Sequence, residues 1–109
     1  MPAIDIKKCD WKLFRERLPG WQERYMEKLV AEYTDYLQSG EPASTKFWEL
    51  EKRIKEAKRR PGVLLSLEKK HIDFDLMQLM KDDAIEEKDL EGISQELIDR
   101  VIELSKVDW

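Results

Sequence analysis

The sequence predicts an all-α fold: a single small domain of four or five helices packed around a central aromatic-rich helix. Three observations carry that expectation. Apolar residues recur at helical spacing in every long segment. The composition, 41% hydrophobic and 40% charged with four glycines and four prolines, is that of a charge-rich helical protein. The chain also has no Asn, so the Asn-Gly signal of a tight β-hairpin is missing. A length of 109 residues leaves room for one hydrophobic core, and residues 1–9 are expected to be a mobile N-terminal segment ahead of it.

Asp10 has the chemistry of an N-cap for a first short helix, Trp11 to Leu18, with Trp11, Phe14 and Leu18 on one stripe. Pro19-Gly20 is expected to end it. A second helix then runs from about Trp21 to Gln38 and stops before Gly40 and Pro42. Trp21, Tyr25, Met26, Leu29, Val30, Tyr33, Tyr36 and Leu37 fill an arc of roughly 180° on this helix. An arc that wide touches more than one neighbour, which makes this helix the expected centre of the fold. Trp21, Tyr25, Leu29, Ile54 and Val101 are therefore expected to be buried.

Ser44 or Thr45 can cap a third helix reaching about Arg60, where Pro61-Gly62 stops it; Phe47, Leu50, Ile54 and Ala57 form its core stripe. The apolar run Val63 to Leu67 fits a strand or a helix, and the lack of a second strand candidate favours helix. Ile72, Leu76, Leu79 and Met80 mark the next helix, which Asp82-Asp83 closes. After a turn of helix around Glu86 to Leu90, Ser94 caps the last one. Ile93 and Ile98 flank that cap as a hydrophobic staple, and Leu97, Val101 and Leu104 form its stripe.

Charge is unevenly distributed over a total of −4. Residues 51–72 hold eight Lys or Arg against three Glu, a net +5, whereas residues 73–109 are at −8. Such a field orients encounter with a charged partner without naming it.

Most catalytic chemistry lacks its parts. His71 is the one histidine and Cys9 the one cysteine, too few for a histidine-centred dyad or an ordinary zinc site, and Cys9 reads as an incidental free thiol. Asp73-Phe74-Asp75 starts like a calcium loop. Gln78 then stands where that loop needs Gly, and Ala84 where it needs Glu. No glycine-rich phosphate loop exists. The carboxylates Asp82, Asp83, Glu86, Glu87, Asp89 and Glu91 read first as solvated turn charge, and second as an acidic surface for a basic partner. No cofactor and no metal are expected, and no apolar run is long enough for a membrane span or secretory signal, so a cytoplasmic protein is expected.

The basic helix remains. Its pairs Glu49 to Arg53, Glu51 to Lys55 and Glu56 to Arg60 stand at i,i+4 in the favourable order, so its charge has a purely structural explanation. Trp48 does not share that explanation. It falls about 140° from the centre of the core stripe, on the side of Lys52, Lys55 and Arg59. A neighbouring helix can bury it, lysine stems can shield it, or it is an exposed binding anchor.

The strings DWKLFRERLPGWQERYMEKLVAEY, FWELEKRIKEAKRRPGV and DLMQLMKDDAIEEKDLEGIS are similar to those of a group of small uncharacterised helical proteins of Gram-positive, often gut-dwelling, bacteria. The resemblance implies a bacterial cytosolic setting and no assigned activity. The expected function is therefore non-catalytic: a regulatory or inhibitory protein that binds another protein, with Trp48, Lys52, Lys55 and Arg59 as candidate partner-binding residues. The alternatives are a nucleic-acid-binding regulator that uses the same face, and a structural subunit that self-associates as a homo-oligomer.

Overall fold

The computed structural model describes residues 5–107, as four α-helices: α1 (Lys8–Leu37), α2 (Ala43–Ala57), α3 (Ile72–Lys81) and α4 (Gln95–Ser105). Two 3-10 turns, Lys69–His71 and Glu87–Leu90, join them, and the described residues contain no strand. Of the segment expected to be mobile, residues 1–4 lie outside the described residues, while Lys8 and Cys9 already belong to α1.

Pro19-Gly20 does not end a helix: α1 continues through it for 30 residues. A proline inside a helix removes one backbone donor and crowds the preceding turn, a cost of about 3 kcal/mol. Tertiary contacts on both sides outweigh it. Phe14, Leu18 and Trp21 straddle Pro19 on one stripe and are all buried. On the same helix the Arg17 guanidinium donates to the carbonyls of Asp89 (3.1 Å) and Glu91. Seven residues on, Arg24 donates to the Ala84 carbonyl at 3.1 Å and pairs with Asp89 at 2.9 Å. Gly20 is exposed, with nothing within 4 Å of a Cβ built on it. Gly20→Ala should therefore raise stability by about 0.5–1 kcal/mol in urea denaturation, because the helix no longer carries glycine's extra unfolded-state entropy. A loss of stability would mean that the chain turns at this position.

Asp10 is also placed differently. Lys7 is the N-cap, and Asp10 lies inside the first turn, fully buried, its carboxylate reaching across to the start of α4. There it accepts from the Ser94 backbone N–H at 2.8 Å and from the Ser94 hydroxyl at 2.5 Å. Ser94 caps α4 as expected, accepting from the Leu97 N–H at 3.4 Å. The α1 N-terminus and the α4 N-terminus are thus locked by one carboxylate.

The core is built from α3, α4 and the first half of α1. Ile72, Leu76, Met77 and Leu79 of α3 meet Leu97, Val101 and Leu104 of α4, and Phe14, Leu18 and Trp21 close the third side. The loop between α3 and α4 contributes Ala84, Ile85, Leu90 and Ile93. Arg100 and Asp73 pair across α3 and α4 at 3.3 Å, both largely shielded from water.

The α3 C-terminus is a Schellman turn. Ala84 N–H donates to the Leu79 carbonyl at 2.9 Å and Asp83 N–H to the Met80 carbonyl at 3.1 Å, with Asp83 in the left-handed region at φ 59°. Asp tolerates that conformation better than most non-glycine residues.

The expectation of a central aromatic helix does not carry over to the second half of α1. Trp21 and Val101 are buried, but Tyr25 and Leu29 are only half-buried and Ile54 is exposed. Beyond Trp21, α1 and the antiparallel α2 leave the core as a hairpin, which accounts for the elongated 52 × 27 × 22 Å molecule. The base of the hairpin is seated by Pro61 and Gly62, both buried. The Gln22 side-chain amide donates to the Pro61 carbonyl at 2.9 Å, and a Cβ on Gly62 would stand 2.6 Å from the Tyr25 ring. Only glycine fits under that ring.

Residues 64–68 form neither helix nor strand. Leu65 is half-buried against the core while Leu64 and Leu67 are exposed, so this apolar run is an extended strap that seats one leucine in three. Nor do Ser44 and Thr45 cap α2, which starts at Ala43 behind Pro42 with no side-chain cap.

Candidate functional site

The outward face of α2 carries the residues singled out by the sequence. Lys46, Glu49, Leu50, Arg53 and Ala57 are the half-buried positions of this helix and mark its side toward α1. Arg53 is the main fastener: its guanidinium lies 4.2 Å from the Tyr36 ring centroid, its Nε pairs with Glu49 at 3.3 Å, and its carbonyl accepts from the Tyr33 hydroxyl at 3.4 Å. Polar fastening of this kind holds α2 without burying it. No residue of the helix is buried.

Trp48, Lys52 and Lys55 stand at i, i+4 and i+7 of α2, one stripe on the side away from α1; the helix ends at Ala57 rather than near Arg60, so Arg59 lies in the turn beyond it, and all four residues are exposed. From Trp48 to Lys55 the stripe spans about 10 Å at 1.5 Å per residue. Trp48 is 62% exposed and its neighbour Phe47 is 64% exposed. Their rings meet edge to face, centroids 5.0 Å apart at 87°. A covering helix over Trp48 is therefore ruled out within the described residues. Phe47, expected in the core stripe, is instead the second half of an exposed aromatic pair. Consecutive positions lie 100° apart on a helix, so Phe47 and Trp48 cannot both face one neighbour, and that was the available sequence signal. Of the stripe's cations, Lys55 pairs with Glu51 at 3.5 Å, a surface pair of small energetic weight.

The acidic third is less open than its composition suggests. Asp82 pairs with Arg60 at 3.4 Å and accepts from the Gln78 amide at 3.1 Å, and Glu86 pairs with Lys88. For Asp89, burial pushes its pKa up, but the Glu86 N–H and the Arg24 guanidinium outweigh burial and hold the carboxyl below its ordinary value. Asp82 and Asp89 thus hold turns together, while Asp83, Glu87 and Glu91 are exposed.

Asp75 is more deeply buried. It is 8% exposed, and one of its carboxylate oxygens, like the second oxygen of Asp82, is buried without a hydrogen-bond partner. Burial is the main cause of a pKa raised to about 6; the nearby His71 opposes the shift, and Asp73 and Glu68 add to it. Beside it lies an open cavity of about 280 Å³ with Arg59, Arg60, Leu64, Leu65 and Phe74 on its walls. His71 itself is exposed, with Nε2 3.1 Å from Glu68. Cys9 is exposed on the first turn of α1. Among the described residues no three His, Cys, Asp or Glu side chains converge as a metal site would need, and no helix is long and apolar enough to cross a membrane.

No protein-family model, curated protein or solved structure matches this chain, so the arrangement of its own residues carries the functional reading.

Proposed function

We propose that the chain is a non-catalytic regulatory or inhibitory protein of the bacterial cytoplasm that acts by binding another protein through the outward face of α2. Trp48 is the anchor of that face, Phe47 braces its ring, and Lys52, Lys55 and Arg59 meet acidic groups of the partner. The observation that carries the reading is the aromatic pair: two large rings held against each other in solvent, on a helix that contributes nothing buried to the fold. Trp and Arg are the residue types that dominate binding energetics when a partner desolvates them. The net charge of −4 and the acidic residues of the α3–α4 region favour a protein partner over a long duplex, which they repel.

Trp48→Ala should weaken partner binding by about 2 kcal/mol or more. Its thermal unfolding should match the parent's, because an exposed side chain leaves no cavity. Lys52→Ala and Arg59→Ala should weaken binding further at low salt and less at high salt. The check is affinity capture from nuclease-treated lysate of the native host with parent and Trp48→Ala baits, beside titration of both with single-stranded and duplex oligonucleotides at two salt concentrations. A protein retained by the parent and lost by the variant supports the reading. Salt-sensitive oligonucleotide binding that needs Trp48 replaces it with the nucleic-acid reading.

A further inference from the structure

The α1/α2 hairpin carries a second surface, which on α2 is centred about 140° around the helix from Trp48. Met26, Val30, Tyr33 and Leu37 follow one another on α1 at steps of four, three and four residues, and Phe47, Leu50, Ile54 and Ala57 on α2 at three, four and three. Both are the seam spacing of helices that pack side by side over several turns. Two helices cannot bury two such seams against each other when one of their shared faces is fastened by Arg53, Glu49 and Tyr36. The seams instead converge on an apolar groove along one side of the hairpin, where Met26, Leu29 and Val30 face Ile54, Ala57 and Val63. Val30 is 60% exposed, Leu37 41% and Ile54 38%. A 15-residue helix with nothing buried is marginal by itself, so an occupant of this groove would stabilise it.

We propose that the occupant of this groove is the same groove of a second copy, the two hairpins closing into a four-helix bundle about a two-fold axis parallel to the helices. The edges of the groove give the reason. On the helical wheel Glu27 flanks Val30 along the α1 edge, while Lys58 lines the groove along the α2 edge, and both are exposed. They lie at the same level of the hairpin, between the Tyr33–Arg53 contact above and the Gln22–Pro61 contact below. Rotation about an axis parallel to the helices keeps that level and sets each α1 edge against the other copy's α2 edge, so Glu27 meets Lys58 twice. It also makes every neighbouring pair of helices antiparallel, as in an up-and-down bundle. Rotation about an axis across the helices would bring α1 edge against α1 edge, like charge against like. The surface is thus self-complementary in one arrangement, as an isologous dimer requires. Trp48, Lys52 and Lys55 stay on the outside of the bundle and Phe47 borders both surfaces, so the dimer is tested at Val30, Ile54, Glu27 and Lys58, none of which belongs to the binding face proposed above.

Sedimentation equilibrium of the full chain, over about 1 to 100 µM, the range where interfaces of modest size assemble, reads the outcome. The expected result is a parent at twice the 13.1 kDa chain mass. Val30→Glu and Ile54→Glu, both at exposed positions, should halve it with no change in the far-UV helical signal. Glu27→Lys or Lys58→Glu alone should raise the dissociation constant at least about tenfold, a charge reversal at a close pair, and the double reversal should restore it. A parent that stays at single-chain mass overturns the proposal, as does a dimer that survives Val30→Glu and Ile54→Glu. A dimer in which the double reversal fails to restore affinity overturns the arrangement proposed.

Discussion

Phe14→Ala should cost about 3–5 kcal/mol of folding stability, whereas Leu29→Ala, on the same helix, should cost the single chain only about 1 kcal/mol. The two residues are both large, apolar and helical, and sequence periodicity alone favours Leu29 as the more central. Surroundings decide otherwise. Phe14 is fully buried between Trp11, stacked at 5.9 Å, and Trp21, edge-on at 6.2 Å, with α3 and α4 behind them. Its removal opens a cavity whose walls belong to three helices and cannot all collapse. Leu29 is half-buried beside an open groove, where water replaces the lost side chain without leaving a void. Urea denaturation of both variants, at concentrations low enough for a single chain, checks the contrast. Equal losses would mean that the hairpin is part of the core.

That contrast also marks what the sequence could reveal. The helical class, the stripes of α3 and α4 and the Ser94 cap were legible because each rests on a local rule: spacing of apolar residues, or one side chain satisfying its own helix end. Leu97, Val101 and Leu104 are buried as their spacing requires. The fate of Pro19-Gly20 was not legible, since the contacts that offset the proline run from Arg17 and Arg24 to residues sixty or more positions away. Asp10 misleads for the same reason. Its partner in space, Ser94, is remote in sequence, and a carboxylate that could cap its own helix binds the start of another. Periodicity names the apolar face of a helix but not what covers it, and the stripes of α2 and distal α1 are real stripes that the single chain leaves partly open. Trp48, Lys52 and Lys55 share one exposed side of α2, as their spacing requires, and Arg59 is exposed in the turn that follows. Phe47 was missed as the companion of Trp48 because its spacing also fits the seam.

Asp75→Asn should stabilise the protein at neutral pH by about 1–3 kcal/mol, with the gain vanishing in acid. Asp75 sits in the first turn of α3, where the helix dipole favours negative charge. Burial overrides that advantage, because one carboxylate oxygen is out of water and has no donor. Its folded pKa, raised to about 6, lies above the ordinary 3.8 of the unfolded chain. A raised carboxyl pKa means that the native state holds the proton more tightly. The stability associated with this group is therefore fully present below about pH 4 and is lost as pH rises through about 6. Asparagine keeps the shape and cannot ionise, so the variant escapes that loss. Other carboxylates act in the opposite sense. Asp89, with its pKa lowered by the Glu86 N–H and Arg24 against the effect of burial, contributes stability above its unfolded pKa that is lost as acid protonates it. The parent's own pH profile mixes these effects, and the difference between variant and parent isolates Asp75. Denaturation midpoints of both proteins from pH 4 to pH 8 should converge at the acid end and separate through about pH 6. Curves that remain parallel across that range would show that Asp75 is solvated in the folded protein, and that the strap of residues 64–68 leaves the N-terminal turn of α3 open to water.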